Sequence, residues 1–288
     1  MNQLFNSYLL FKIPYIRGLY YKYRKNWADK NPDAEIETHI TDYIKVKLTL
    51  KDWVQRSLFI YGYYEYAETG FWKNLVKGKK VVFDVGSNIG YYSLLASKNM
   101  HRDALIYAFE PVSHTFSRAK FNIELNGIKN ILLHRIALSD KDGFLDINVG
   151  NEENWGMSSI NTHNYLSNKS EKVESLKIDT FVKQNKIEQI DAVKVDIEGS
   201  EFFLLKGMTH VLDHFRPVIL MEVLDEHLIK ANSSKEELFN IFWGKNYKAY
   251  KILSKIELVE LTQPASYDGL ICFQPVEKPF DKFVKLIL

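Results

Sequence analysis

The chain has 288 residues, 46% hydrophobic and 14% aromatic, which is enough apolar material for a sizeable core and too much for a disordered chain. Its net charge of +2 is too small to argue by itself for a nucleic-acid partner, and it is uneven: residues 1–30 hold six Lys/Arg against Asp29, a local +5 that leaves the remainder at −3. Cys272, in the apolar run Leu270 to Phe273, is the only cysteine, so no intramolecular disulfide forms. No uncharged apolar run approaches the roughly 20 residues needed to span a bilayer. Lys12 and Pro14 interrupt the stretch where a secretory signal needs continuity, and the expected setting is reducing and cytoplasmic.

In chain order, residues 1–30 interleave Phe5, Tyr8, Leu9, Phe11, Tyr15, Leu19, Tyr20, Tyr23 and Trp27 with basic side chains, the composition of an interface-seeking amphipathic segment. It reads as a helix packed on the core or on a second subunit, with a membrane surface or lipid-linked substrate as the other reading. Asn31-Pro32-Asp33 is a turn and boundary. Ile44 to Leu50 alternates apolar and polar residues and predicts a half-exposed strand or hairpin arm. Residues 1–60 are thus expected to form an extension, and 61–288 the main domain. Tyr61 to Trp72 is rich in aromatics and serves either as core filler over the sheet edge or as a lid or substrate wall.

From Val81 the rhythm becomes regular. Strand 81–85, helix 90–99, strand 105–109, helix 113–126 and strand 131–136 alternate, which predicts right-handed crossovers and a parallel sheet. Ser139 to Thr162 breaks that rhythm: the turn Asp140-Lys141-Asp142-Gly143 and the alternation from Phe144 to Val149 predict an inserted hairpin, with a loop at Trp155 to Ile160 beside the pocket. Helix 179–186, strand 191–195, helix 200–213, strand 217–223 and helix 234–244 resume the pattern. Strands 247–253 and 269–274 end the sheet as an antiparallel pair.

Such a sheet binds ligands outside the carboxyl ends of its strands. At VVFDVGSNIG (Val81 to Gly90) a strand ends near Asp84 and turns through Gly86 and Gly90 into a helix, with Asn88 suited to a left-handed conformation. The turn lacks the second glycine of a pyrophosphate-binding fingerprint, which disfavours a nicotinamide dinucleotide. Asp84 suits a cationic amine, and the amides at 86–90 with the helix amino terminus suit a carboxylate, together the amino-acid end of a methionine-like ligand. Glu110, 26 residues after Asp84, ends the next strand where an acid accepts both ribose hydroxyls. Ala137 and Leu138 follow the third strand, beside the expected adenine position. Asp196, Glu198 and Glu222 cluster at the ends of the next two strands. Among the histidines only His210 and His214 stand four apart, a surface pair rather than a ligand set.

DVGSNIG, FEP, IALS and VKVDIEGSE occur here in the order and spacing of the FkbM-type S-adenosylmethionine-dependent methyltransferases, which this chain resembles over about Lys79 to Val223. The resemblance implies a class I methyltransferase fold, Rossmann-like and doubly wound, with a mostly parallel seven-stranded sheet ending in an antiparallel hairpin. It also implies S-adenosylmethionine held by Asp84, Gly86, Ser87, Asn88, Gly90, Glu110, Ala137 and Leu138, and methyl transfer to a hydroxyl of a sugar, glycan or related metabolite. An alcohol is a weak nucleophile, so a base helps; Asp196 is the first candidate, then Glu198 and Glu222. The same carboxylates are able to hold a divalent cation, which the sequence does not demand. Polyketide or lipid hydroxyls, and a binding module without transfer, are the alternatives. Partners are expected to be a small-molecule or glycan acceptor and no nucleic acid, with residues 1–30 available for a membrane or homo-oligomer contact.

Overall fold

The computed structural model describes residues 10, 13–151, 153, 158, 169–264, 267–278, 280 and 285–287. The chain begins with helix α1 (Pro14–Lys30), the hairpin β1 (Glu35–His39) and β2 (Lys45–Thr49), and helices α2 (Trp53–Tyr61) and α3 (Tyr66–Leu75). The alternating part follows as β3 (Val81–Val85), α4 (Tyr91–Asn99), β4 (Leu105–Phe109), α5 (Ser113–Leu125) and β5 (Ile131–His134). An insert of β6 (Ala137–Leu138), β7 (Gly143–Asn148) and β8 (Ser170–Leu176) forms a separate sheet, three-stranded among the described residues. Then come α6 (Ile178–Gln184), β9 (Ala192–Val195), α7 (Glu201–Lys206), β10 (Val218–Val223), α8 (Asp225–Lys230), α9 (Lys235–Gly244), β11 (Tyr247–Ile252), β12 (Glu257–Leu261), β13 (Gly269–Pro275) and β14 (Lys285–Ile287).

Among the described residues the main sheet has nine strands in the order β14-β12-β11-β13-β10-β9-β3-β4-β5. Neighbours from β10 to β5 are parallel, and β13 runs antiparallel to both β10 and β11. Strands β5-β4-β3-β9-β10-β13-β11 are the seven expected; β12 and β14 extend the β11 edge, which the short alternation of Glu257–Leu261 did not announce. Along β3 the side chains divide between two apolar clusters: Val82 joins Leu58, Phe71, Trp72 and Leu94, whereas Phe83 and Val85 join Phe181, Leu204 and Phe239. Helices therefore cover both faces, the arrangement that lets a strand be apolar throughout.

The predicted hairpin arm at Ile44 to Leu50 is β2. Its inward residues Val46 and Leu48 are buried in the same cluster as Val82, so the amino-terminal hairpin shares the core of the sheet. Asn122 of α5 fastens it: its side chain accepts from the Lys47 amide (2.8 Å) and donates to the Ile89 carbonyl (3.1 Å). Of the aromatic basic segment, α1 packs Tyr20, Arg24 and Ala28 inward and exposes Ile16, Leu19 and Tyr23. Arg24 is fully buried over the Phe59 ring, 4.1 Å from its centroid, and donates to Thr38 at 2.9 Å. Residues 1–9, 11 and 12, and the predicted loop at Trp155 to Ile160 apart from Ser158, lie outside the described residues. No helix among the described residues is long and apolar enough to cross a membrane.

Two local expectations differ from the structure. The inserted hairpin pairs β7 with β8, so its second arm lies at 170–176, beyond the stretch that broke the rhythm. The helix expected at 200–213 ends at Lys206. Gly207 meets the insert so closely that a Cβ there would lie 1.9 Å from the Ser139 carbonyl, and the helix resumes at Thr209 with Asp179 accepting from the His210 and Val211 amides.

Candidate active site

The strand order reverses between β3 and β9, and a cavity of about 300 Å³ opens at their carboxyl ends. Register brings its walls together: Val85 lies opposite both Val195 and Phe109, so the segments leaving β3, β9 and β4 meet at one level. Close approach requires Gly86, whose φ is +80° and whose added Cβ would fall 1.8 Å from the Asp196 carbonyl. Asn88 takes the left-handed conformation expected of it, with φ 50°.

Hydrogen bonds in this turn revise the sequence reading. The Gly86 and Ser87 amides donate to the Phe109 carbonyl, the Asn88 amide to Glu110, and the Gly90 amide to the Ser87 carbonyl. Amides 86, 87, 88 and 90 are therefore engaged within the protein rather than set aside for a carboxylate. Two side-chain atoms of cavity-lining residues are left unsatisfied: Ser87 Oγ and Asn88 Oδ1 are buried and have no hydrogen-bond partner among the described residues. Buried polar atoms are seldom orphaned without a ligand or water, so this pair marks a polar subsite.

Glu110 holds the neighbouring wall. Its carboxylate accepts from the Asn88 amide (2.9 Å), the Val112 amide (3.0 Å) and Thr115 Oγ1 (2.7 Å), which fixes it between the first turn and α5. Burial raises its pKa to about 7 despite those donors. Ile136, Ala137, Leu138, Val112 and Ile147 complete an apolar slot beside it.

Asp84 is placed differently from its expected role. It does not line the cavity; it is 1% exposed, accepts from Ser93 Oγ, and lies opposite Lys194 in the β3–β9 register. Lys194, a cavity-lining residue that received no role from the sequence, is also 1% exposed. Its ammonium reaches Asp196 Oδ2 at 2.9 Å and lies 4.4 Å from the Tyr92 ring centroid. Burial alone would lower its pKa, but the charges of Asp196, Asp84 and Glu65 outweigh that and raise it. The signal for Lys194 was present in the sequence, since a charged residue inside VKVDI on a doubly covered strand must be paired.

The opposite wall carries Glu198, Glu222 and His227. Glu222 is the penultimate residue of β10, Glu198 lies on the β9–α7 loop with φ 54°, and His227 lies on α8, with Nδ1 3.2 Å from Glu198 Oε2. Burial and the mutual repulsion of these acids and Asp196 push Glu222 up to about 10 and Glu198 well above its ordinary value. Burial lowers His227. Sequence spacing had set His227 aside, because the residue that brings it here is remote: Gly199, with φ +95°, packs so tightly on α8 that a Cβ would lie 2.7 Å from the His227 carbonyl. Glu201, in the first turn of α7, turns back to accept from the Ile197 and Gly199 amides and braces this loop. Trp53 and Tyr64 contribute the aromatic rim, ring centroids 5.7 Å apart, whereas Phe71 and Trp72 of the same aromatic stretch are core.

Among known proteins, residues 84–249 match the Methyltransferase FkbM domain. The hexuronic acid methyltransferase AglP of Haloferax volcanii is 32% identical over 140 residues, which are 49% of this chain and 54% of that protein. Methyltransferase 1 of Beauveria bassiana is 25% identical over 144 residues, covering 44% of this chain and 57% of the relative. The 2-O-methyltransferase NoeI of Sinorhizobium fredii is 25% identical over 170 residues, 54% and 68% respectively. The match thus spans little more than half the length of the first two. The crystal structure of methyltransferase FkbM from Methylobacillus flagellatus shares 15% identity and a TM-score of 0.44, covering 68% of this chain and 43% of that one. With its family domain matched over more than half its length, this chain belongs to the FkbM methyltransferase family.

Proposed function

We propose that this protein is an S-adenosylmethionine-dependent O-methyltransferase whose acceptor is a hydroxyl of a sugar or glycan. The observation that carries the reading is one cavity with two unlike walls: the orphaned Ser87 and Asn88 side chains beside Glu110 on one side, and Glu198, Glu222 and His227 on the other. When bound, S-adenosylmethionine supplies an electrophilic methyl group on a cationic sulfur. A cation is favoured against this acid-rich lining because its charge draws the raised carboxyls toward ionisation, whereas a doubly negative pyrophosphate would hold them protonated and gain no partner from them. The relatives named for a hexuronic acid and for 2-O-methylation support a sugar acceptor.

In this reading Ser87 and Asn88 meet the amino-acid end of the cofactor, Glu110 accepts from its ribose, and Ala137 and Leu138 flank its adenine. Lys194 is engaged with Asp196, which assigns Asp196 to holding the lysine rather than to proton transfer. Glu198 and Glu222 remain as the acids of the acceptor wall; the positive sulfur of the bound cofactor offsets the burial and mutual repulsion that keep them protonated, which leaves one of them able to take the hydroxyl proton, and the Glu198–His227 pair orients that wall. Alignment of acceptor and donor supplies the larger part of the rate, up to about 7–11 kcal/mol.

The reading is tested by thermal shift with S-adenosylmethionine and with NAD, followed by an assay for S-adenosylhomocysteine release on hydroxylated sugars. Stabilisation by NAD alone would sink it, and binding without transfer across a broad acceptor panel would leave a non-catalytic module. Glu198→Gln is expected to lower turnover by about 10²–10⁴-fold, the range of general-base loss, with cofactor affinity retained. Equal losses in both would remove Glu198 from the acceptor side.

Glu110 gives the pH dependence. Its carboxyl titrates at about 7 in the free protein, and ribose hydroxyls donate to the ionised form. Cofactor affinity should therefore be full above pH about 8 and fall by at most about tenfold per unit below 7. Glu110→Gln should weaken binding by about 1–3 kcal/mol and flatten that dependence, as read by calorimetry from pH 5.5 to 8.5. An unchanged profile in the variant would exclude the ribose role.

A further inference from the structure

The acceptor-side wall gathers more donor atoms than a single proton acceptor needs. Glu198, Glu222 and His227 each present one ligand atom, and these atoms all lie within 4.8 Å of one another. They come from three separate segments: the β9–α7 loop, the end of β10, and α8. His227 Nδ1 is 3.2 Å from Glu198 Oε2. A divalent cation with bonds of about 2.1 Å holds adjacent donors roughly 3.0–3.4 Å apart, so this edge already has the required length. A simple hydrogen bond between His227 and Glu198 accounts for that one distance, but it leaves unexplained why a second carboxylate, Glu222, converges on the same point.

A second observation is independent of the acids. Ser200, two residues beyond Glu198, lines the same cavity; it is 2% exposed, and its hydroxyl has no hydrogen-bond partner among the described residues. A water held by a cation would give that hydroxyl a partner. The nearby ammonium of Lys194 is engaged with Asp196 at 2.9 Å. The donor set of two carboxylate oxygens and one imidazole nitrogen suits borderline divalent metals.

We propose that Glu198, Glu222 and His227 bind one divalent cation of the Mn²⁺ or Zn²⁺ class at the acceptor side of the cavity. Three protein ligands leave positions open toward the cavity, where an acceptor hydroxyl can bind and lose proton affinity. The inference rests on the reading of this wall as the acceptor side, but cation binding itself requires neither acceptor nor cofactor.

The test uses the full chain, freed of metal and without cofactor. Mn²⁺ is titrated and followed by electron paramagnetic resonance, and Zn²⁺ by calorimetry. One cation per chain is expected, with a nitrogen coupling on Mn²⁺ that disappears in His227→Gln and an affinity at least tenfold weaker in Glu222→Gln. Circular dichroism verifies that the variants fold. If they do not, the nitrogen coupling in the wild-type protein decides. Failure of both metals to bind at millimolar concentration, or binding unchanged in both folded variants, overturns the inference. S-adenosylmethionine binding measured on the same metal-free protein separates the outcomes: retained cofactor binding with no cation site defeats only this inference, whereas loss of both defeats the reading of the cavity.

Discussion

Lys194→Met is expected to reduce the unfolding free energy by about 3–5 kcal/mol, the cost of leaving buried charge unpaired. The lysine side chain fills the floor of the site with 1% exposure, reaches Asp196, lies opposite Asp84 across the β3–β9 ladder and packs on Tyr92. Methionine preserves most of the volume, so the loss reports charge rather than packing. Asp84 stands to suffer most, because its Oδ1 is already buried with no hydrogen-bond partner and the charge of Lys194 is the largest influence offsetting its burial, ahead of the hydrogen bonds from Ser93. Adding Asp84→Asn should therefore recover a substantial part of the loss. Urea denaturation of the two single variants and the double variant measures this directly. A single-variant loss below about 1 kcal/mol, or no coupling in the cycle, would show that the lysine and Asp84 do not depend on each other.

Gly86→Ala is expected to cost about 2–5 kcal/mol and to weaken cofactor binding by at least roughly tenfold. The estimate combines about 1–2 kcal/mol for a side chain in the left-handed region with about 1–3 kcal/mol for overpacking. The obstacle is backbone: the new Cβ would meet the Asp196 carbonyl at 1.8 Å, and no rotamer change relieves that. Separation of the two segments must shift Ser87 and Asn88 with the first and Glu198 with the second. Gly78→Ala is the control, with φ +73° and nothing within 4 Å of the added atom, so it isolates the conformational part. If Gly86→Ala costs no more than Gly78→Ala and binds cofactor normally, the close approach of the two segments has no functional weight.

Much of this architecture was legible from residue order. The apolar strands β3, β4, β9 and β10 have no polar alternation, which identifies a doubly covered parallel sheet, and Gly86, Asn88 and Glu110 announce where it turns toward a ligand. Hydrogen-bond assignment was less legible. The turn amides looked available in sequence, but those of residues 86–88 are consumed by Phe109 and Glu110 and that of Gly90 by Ser87, because the adjacent strand exit supplies acceptors that local pattern does not reveal. His227 was hidden for a related reason: its partner, Glu198, is 29 residues away, and only packing of Gly199 against α8 brings them to 3.2 Å. Lys194 was readable in principle from its charge on a buried strand, whereas the choice between Asp84 and Asp196 as its partners depended on register.

The Asn122 clasp bears on what can be cut away from this protein. The segment matched by the family domain begins at Asp84, inside β3, and ends at residue 249, inside β11. It omits β13, which pairs with both β10 and β11, and it omits the hairpin whose Lys47 amide Asn122 holds while its other end reaches the Ile89 carbonyl of the cofactor turn. A fragment trimmed to the matched span would lose a central strand and the outer support of that turn. Domain exchange between relatives should therefore carry the amino-terminal hairpin and the carboxyl-terminal strands along with the shared motifs, because the unit that folds is larger than the unit that is recognisably related.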